Sequence, residues 1–160
     1  MMKKGYSLVE ILVVLTITGA IFGLGYVGFR DFARRQSVNS AAKTFKTDIK
    51  LAQEQAASGK KVAGCVVLDG YKVIVDASNS LYTISASCSS GSGKTDYEIK
   101  SKKLTSDVAV TIVPQNTFIF KSIAQGTDIA SGESITVTFT QSAGGGYAVS
   151  VVIAASGGID

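Results

Sequence analysis

A carboxylate inside an apolar segment is the first chemically telling feature of this sequence. Glu10 follows Tyr6-Ser7-Leu8-Val9 and precedes Ile11 to Phe29, a run without a single charge. An unpaired carboxylate in apolar surroundings costs several kcal/mol at worst, so it ordinarily has a partner and a function. Elsewhere the chemical inventory is thin. Histidine is absent, so no histidine-based triad can be built. Cys65 and Cys88 are the two cysteines, and no Cys/His spacing suits zinc. They fit one disulfide outside the cytoplasm, or two free thiols on separate strands. Asp69, Asp76 and Asp107 fall at strand ends, without paired-carboxylate, nucleophile-elbow or metal-ligand spacing. An exported enzyme is the weakest class, and no cofactor is called for. Lys94, Lys100, Lys102 and Lys103, with Tyr97 among them, form a basic stretch that could contact phosphates in a salt-sensitive way. A solvated loop gives the same pattern.

Composition sets the frame. The chain has 160 residues, 46% of them apolar and 18% charged, with a net charge of +4. It is neither disordered nor strongly basic. One compact domain with an appendage fits this length.

The appendage comes first. Lys3 and Lys4 precede the uncharged run, which as a helix is roughly 28 Å long at about 1.5 Å per residue. That length suits a bilayer core of about 30 Å, and the flanking lysines place Met1 in the cytoplasm. A cleaved signal peptide or a plain anchor would also be apolar, but neither accounts for Glu10. Gly19 and Gly23 have a GxxxG spacing that lets helices approach closely, although ordinary membrane-helix glycines give the same spacing. Four glycines between Gly19 and Gly28 weaken a helix, so local loss of helicity is expected there.

Past Phe29 the pattern becomes amphipathic. Arg30, Arg34 and Arg35 mark an outer interface. Val38, Ala42, Phe45, Ile49, Ala52 and Ala56 recur at steps of three and four, and Gly59 is the stop signal. One helix from about Leu8 to Ser58 is expected. From Gly64 the period becomes strand-like. Strands are predicted over Cys65–Leu68, Tyr71–Asp76, Leu81–Cys88, Val108–Val113, Phe118–Lys121, Ile135–Thr140 and Tyr147–Ala154, with a short one at Tyr97–Ile99. Asp69-Gly70 reads as a hairpin turn, Asn79-Ser80 as a turn, Ser89–Gly93 as a flexible loop and Gly144–Gly146 as a final turn.

The segment Lys3-Lys4-Gly5-Tyr6-Ser7-Leu8-Val9-Glu10 resembles the class III signal of type IV prepilins and type II secretion pseudopilins. The strand and glycine pattern from Leu104 to Ile159 is similar to the GspH/FimT-like minor pilins. This resemblance implies cleavage by prepilin peptidase between Gly5 and Tyr6, N-methylation of Tyr6, and a subunit-docking role for Glu10 against the new amine of a neighbour. It implies an α+β, pilin-like fold: one long N-terminal helix, transmembrane in its first half and amphipathic in its second, packed on an antiparallel β-sheet domain. The expected divisions are a leader (1–5), a transmembrane or filament-core helix (6–29), an amphipathic half (30–59) and a β domain (60–160). The implied partners are the prepilin peptidase/methyltransferase, other pilins or pseudopilins, and the inner-membrane assembly platform. The implied location is a single-pass inner membrane and then a periplasmic or surface filament. The alternative that the resemblance implies is a DNA-binding minor pilin of a DNA-uptake (competence) pilus, since some FimT-like minor pilins bind DNA through arginines in a C-terminal tail. Here the tail, Ser156-Gly157-Gly158-Ile159-Asp160, has none.

Overall fold

The computed structural model describes residues 7–91, 93–123, 125–142 and 146–160, without the side chains of residues 24–28. Helix α1 is assigned over Leu8–Ala57. Among the described residues seven strands follow: β1 Val67–Asp76, β2 Leu81–Ser90, β3 Gly93–Lys103, β4 Val108–Val113, β5 Thr117–Lys121, β6 Ser134–Gln141 and β7 Ala148–Ala154. The chain divides into two compact units, Met1–Gln36 and Ser37–Asp160.

The expected single long helix laid on one sheet is corrected. The fully described helical stretches are two shorter ones, residues 8–23 and 29–57, and they fall across two separate units. No helix among the described residues is long and apolar enough to cross a membrane. Residues 8–23 carry Glu10, Thr16 and Thr18, which lower their apolarity. The transmembrane assignment, and with it single-pass anchoring in the inner membrane, lacks support.

The strands also form two sheets. Their orders are β3-β2-β1-β5 and β4-β6-β7, and every pairing is antiparallel. Within the larger unit, Val38, Ala42, Phe45, Ile49, Ala52 and Ala56 are all buried, as an apolar stripe at helical spacing requires. Phe45 joins the stripe to both sheets. Its ring centroid lies 5.0 Å from that of Tyr82 on β2 and 5.4 Å from that of Phe139 on β6. Val108 and Val110 of β4, Ile135, Val137 and Phe139 of β6, and Val151 and Ile153 of β7 alternate into the same core.

Two local expectations also fail. Asp69-Gly70 is not a hairpin turn: β1 runs straight through it, with a register shift between Leu68 and Gly70. Gly70 is needed there because a Cβ would collide with the Phe120 carbonyl of β5. Nor is β3 a short strand at Tyr97–Ile99. It pairs with β2 from Gly93 to Lys103, so the expected flexible loop is a tight connection whose Ser92 lies outside the described residues. The β1–β2 turn is fastened by Asp76, which accepts from the Asn79 backbone N–H at 3.1 Å and from its side-chain amide at 2.6 Å. Of the expected Gly144–Gly146 turn, Gly144 and Gly145 lie outside the described residues.

Candidate assembly interface

The smaller unit presents apolar side chains to solvent. Ile11, Leu12, Val13, Val14 and Leu15 are consecutive, span more than one helical turn, and are all exposed. Leu8 is 80% exposed and Phe22 74%, and Val9, Ile17 and Ile21 are also open. Large exposed apolar surfaces mark interaction sites. This one is not a stripe: it surrounds the helix, so a single flat partner cannot cover it. Glu10 lies in the first turn of α1, exposed, sharing a shallow recess with Ile11, Val14 and Leu15. Its position near the helix N-terminus is favourable for a negative charge. A Cβ added at Gly19 or Gly23 would meet nothing within 4 Å, so both leave room for another backbone to approach. Gly5 and Tyr6, the expected cleavage and methylation positions, lie outside the described residues, as do Lys3 and Lys4. Farther along, Arg35 lies 3.9 Å from Asp31, an exposed pair one turn apart.

The four lysines of β3 do not form one patch. A bulge at Ile84/Ser85 changes which face of the sheet successive β3 residues meet. Lys94 lies 3.7 Å from Asp69, on the face where Lys72 donates to Asp96 at 2.8 Å. That Lys72 bond holds the Asp96 carboxyl below its ordinary range, with Ser87 adding to the effect. Lys100 turns to the opposite face and donates to Asp48 of α1 at 2.7 Å. Lys102 and Lys103 pair with Tyr82 and Leu81 at the far end of the strand. Tyr97 donates to the Gly64 carbonyl at 3.1 Å and closes over the loop after α1. The aromatic side chain interleaved with the lysines therefore holds the fold together rather than offering a surface on which a base could stack.

Cys65 and Cys88 are joined, with their Cα atoms 5.5 Å apart. The bond ties the loop after α1 to β2, where Cys88 is buried. Among the described residues no cluster of three or more His, Cys, Asp or Glu could hold a metal ion.

Sequence reasoning missed the polar residues that flank the apolar stripe. Asp48, buried, accepts from Tyr82 at 2.6 Å and from Lys100 at 2.7 Å. Burial, then the Asp48 carboxylate, push the Tyr82 hydroxyl far above its ordinary range. Asn39 accepts from Tyr147 at 3.1 Å, and Gln53 donates to the Gly157 carbonyl at 2.7 Å. A signal was available: Asn39, Asp48 and Gln53 each adjoin a stripe residue on the helix. Their partners lie far away in sequence, so spacing alone could not name them. No protein-family model, curated protein or solved structure matches this chain.

Proposed function

We propose that the chain is a structural subunit of a pilus- or pseudopilus-type filament, joined to its neighbours through the N-terminal helix. The observation that supports this reading is the ring of exposed apolar side chains on residues 8–23 around one carboxylate, Glu10. A helix apolar on every side is stable when surrounded by other apolar helices. Copies of the same helix supply that environment in an assembly, and Gly19 and Gly23 permit close approach.

Glu10 then becomes the specificity element. Inside a bundle of apolar helices a lone carboxylate needs a cation. Cleavage after Gly5 would create an amine on Tyr6, close to Glu10 in sequence and available to a neighbouring copy. Desolvation offsets much of such a pair's Coulomb energy, so its main effect is to set register. A prepilin peptidase/methyltransferase and other pilins are the partners of this reading, and it invokes no reaction by the chain itself.

The experiment is mass spectrometry of the mature N-terminus together with sedimentation of the wild type, Gly5→Ala and Glu10→Ala. The reading expects an N-methylated Tyr6 in the wild type, an unprocessed chain in Gly5→Ala, and a processed but unassembled chain in Glu10→Ala. A wild-type chain that keeps Met1, or a Glu10→Ala chain that assembles normally, refutes it.

A further inference from the structure

Ile123 is an unfavourable residue for the isolated chain on two counts. Its side chain is 72% exposed, and its backbone has φ 60°. That left-handed region suits glycine or asparagine and strains a β-branched residue. The backbone has a local reason to be there. Ile123 donates its N–H to the Ala56 carbonyl in the last turn of α1, at 3.0 Å, and the Ser122 N–H donates to the Asp69 carbonyl at 3.1 Å. An asparagine would keep both bonds without the strain. The isoleucine side chain gains the fold little packing in return. Strain kept without such a return points to a contact made elsewhere.

The opposite edge of the same sheet carries a recess. β3 and β5 are the first and last of its four strands, roughly 14 Å apart at ~4.8 Å per strand. On β3, Lys100 pairs with Ile84 and Glu98 with Ser85, so Ile99 is the extra residue of the bulge. The bulge turns Ile99 and Lys100 to the same side, toward α1. Leu51, Ala52, Ile84 and Ile99 wall a recess of about 40 Å³, bordered by the Asp48–Lys100 pair. Leu51 is 52% exposed and Ile99 42%. The recess has more than twice the ~10–15 Å³ that admits one water, so it takes the end of an aliphatic side chain. The charged groups nearest to it, Lys100 and Lys102 against Asp48 and Glu98, balance in sign.

We infer that Ile123 of one copy seats in the Leu51–Ile99 recess of the next, as a head-to-tail contact. Each copy offers the knob at one edge of the sheet and the recess at the other. Two copies cannot satisfy both at once by facing each other, so the contact propagates from copy to copy. Register adds a stagger. Across β2 and β1, Glu98 lines up with Ile119, and Ile123 lies past that row, so neighbours are offset by roughly 10–13 Å along the strands. One knob buries far less than the ~800 Å² per partner of a stable pair. It adds nothing measurable between free chains and counts only among tethered ones. The inference rests on the filament reading above, which supplies the tether.

The test uses single cysteines beside the knob and the recess, Ser122→Cys and Gln55→Cys, which leave both intact. Cys65 and Cys88 are joined, so the added thiol is the reactive one. The control is Ser101→Cys, exposed on β3 and on the face away from Lys100. Full chains are mixed in pairs, assembled, sedimented and treated with a short bis-maleimide. Ser122→Cys with Gln55→Cys should give several-fold more covalent dimer than either alone, or than Ser122→Cys with Ser101→Cys. Adding Ile123→Asn to the Ser122→Cys chain should return the yield to the control level, with a thermal midpoint equal to or above that of the parent. Equal yields in chains that sediment, or a yield that survives Ile123→Asn, overturn this contact and leave the filament reading intact. A lowered midpoint in Ile123→Asn gives the side chain a role within the fold and also overturns the contact. A wild-type chain that never sediments overturns both.

Discussion

Lys100 on the edge strand β3 reaches under the sheet to Asp48 on α1, 2.7 Å away. The two residues are far apart in sequence, and their contact pins the outermost strand of the sheet to the helix. Asp48 is buried while the Lys100 side chain keeps 44% of its surface exposed. The pair is thus asymmetric: the ammonium has water as an alternative, whereas the carboxylate has only Tyr82 besides.

That asymmetry predicts unequal consequences. Asp48→Ala leaves the buried Tyr82 hydroxyl without an acceptor and is expected to cost about 2–3 kcal/mol. Lys100→Met leaves Asp48 buried with one partner and costs about 1–2 kcal/mol, less than a fully buried pair because its head is half in water. Asp48→Asn keeps an acceptor for Tyr82 and falls below Asp48→Ala. Urea unfolding followed by circular dichroism ranks the three.

Tyr82 adds an alkaline signature. Its hydroxyl titrates far above its ordinary value of about 10 in the folded chain. Its contribution is complete below that ordinary value and is lost as pH rises above it, where only the unfolded tyrosine ionises. Tyr82→Phe, which cannot ionise, should flatten the fall in stability above about pH 10. An unchanged alkaline limb in thermal melts would place the sensitive group elsewhere.

Acid acts on the other face. Asp96 is held below its ordinary pKa by Lys72, so the stabilisation exists above the unfolded value of about 4 and fades as pH falls through the lower folded value. The pair is partly exposed and worth about 1 kcal/mol at most. Lys72→Met should lower stability at neutral pH by no more than that, and shrink the acid dependence below about pH 4. Melts run across that range in both chains check it.

Removing Phe45 tests the junction between helix and sheets. The ring is fully buried against Tyr82 and Phe139, so Phe45→Ala is expected to cost about 3–5 kcal/mol. Phe45→Leu should cost less than half as much, as measured in the same denaturant series.

Reduction of Cys65–Cys88 releases a loop whose ends lie 23 positions apart, worth about 3 kcal/mol by loop-closure entropy. The midpoint of thermal unfolding should drop by several degrees with reductant, and a Cys65→Ser/Cys88→Ser chain should show no further change when reductant is added.

The legible parts of this fold were those where one face of an element is buried. The stripe Val38 to Ala56 and the alternation in β4, β6 and β7 announce themselves because burial imposes a period. β3 was underestimated for the opposite reason: as an edge strand almost wholly exposed, it has no apolar alternation to read. Asp69-Gly70 misled because a glycine needed for close approach to Phe120 looks the same in sequence as a glycine needed for a turn. In the candidate site, Glu10 stood out by contrast with its neighbours. Asp48 did not, since a charged residue beside an amphipathic stripe is ordinary until its distant partners are known. The transmembrane expectation rests on the uncharged run Ile11–Phe29, whereas no helix among the described residues is long and apolar enough to cross a membrane.

The edge position of β3 carries one more consequence. Among the described residues only β2 bonds to it, so roughly every second amide along Gly93–Lys103 faces outward with no ladder partner there. Deuterium uptake along this strand will alternate between fast and slow residues even when every molecule is folded, and averaged over a peptide it will look like fraying. The side-chain ties from Lys100 and Tyr97 mean that the slow half should survive to conditions close to global unfolding.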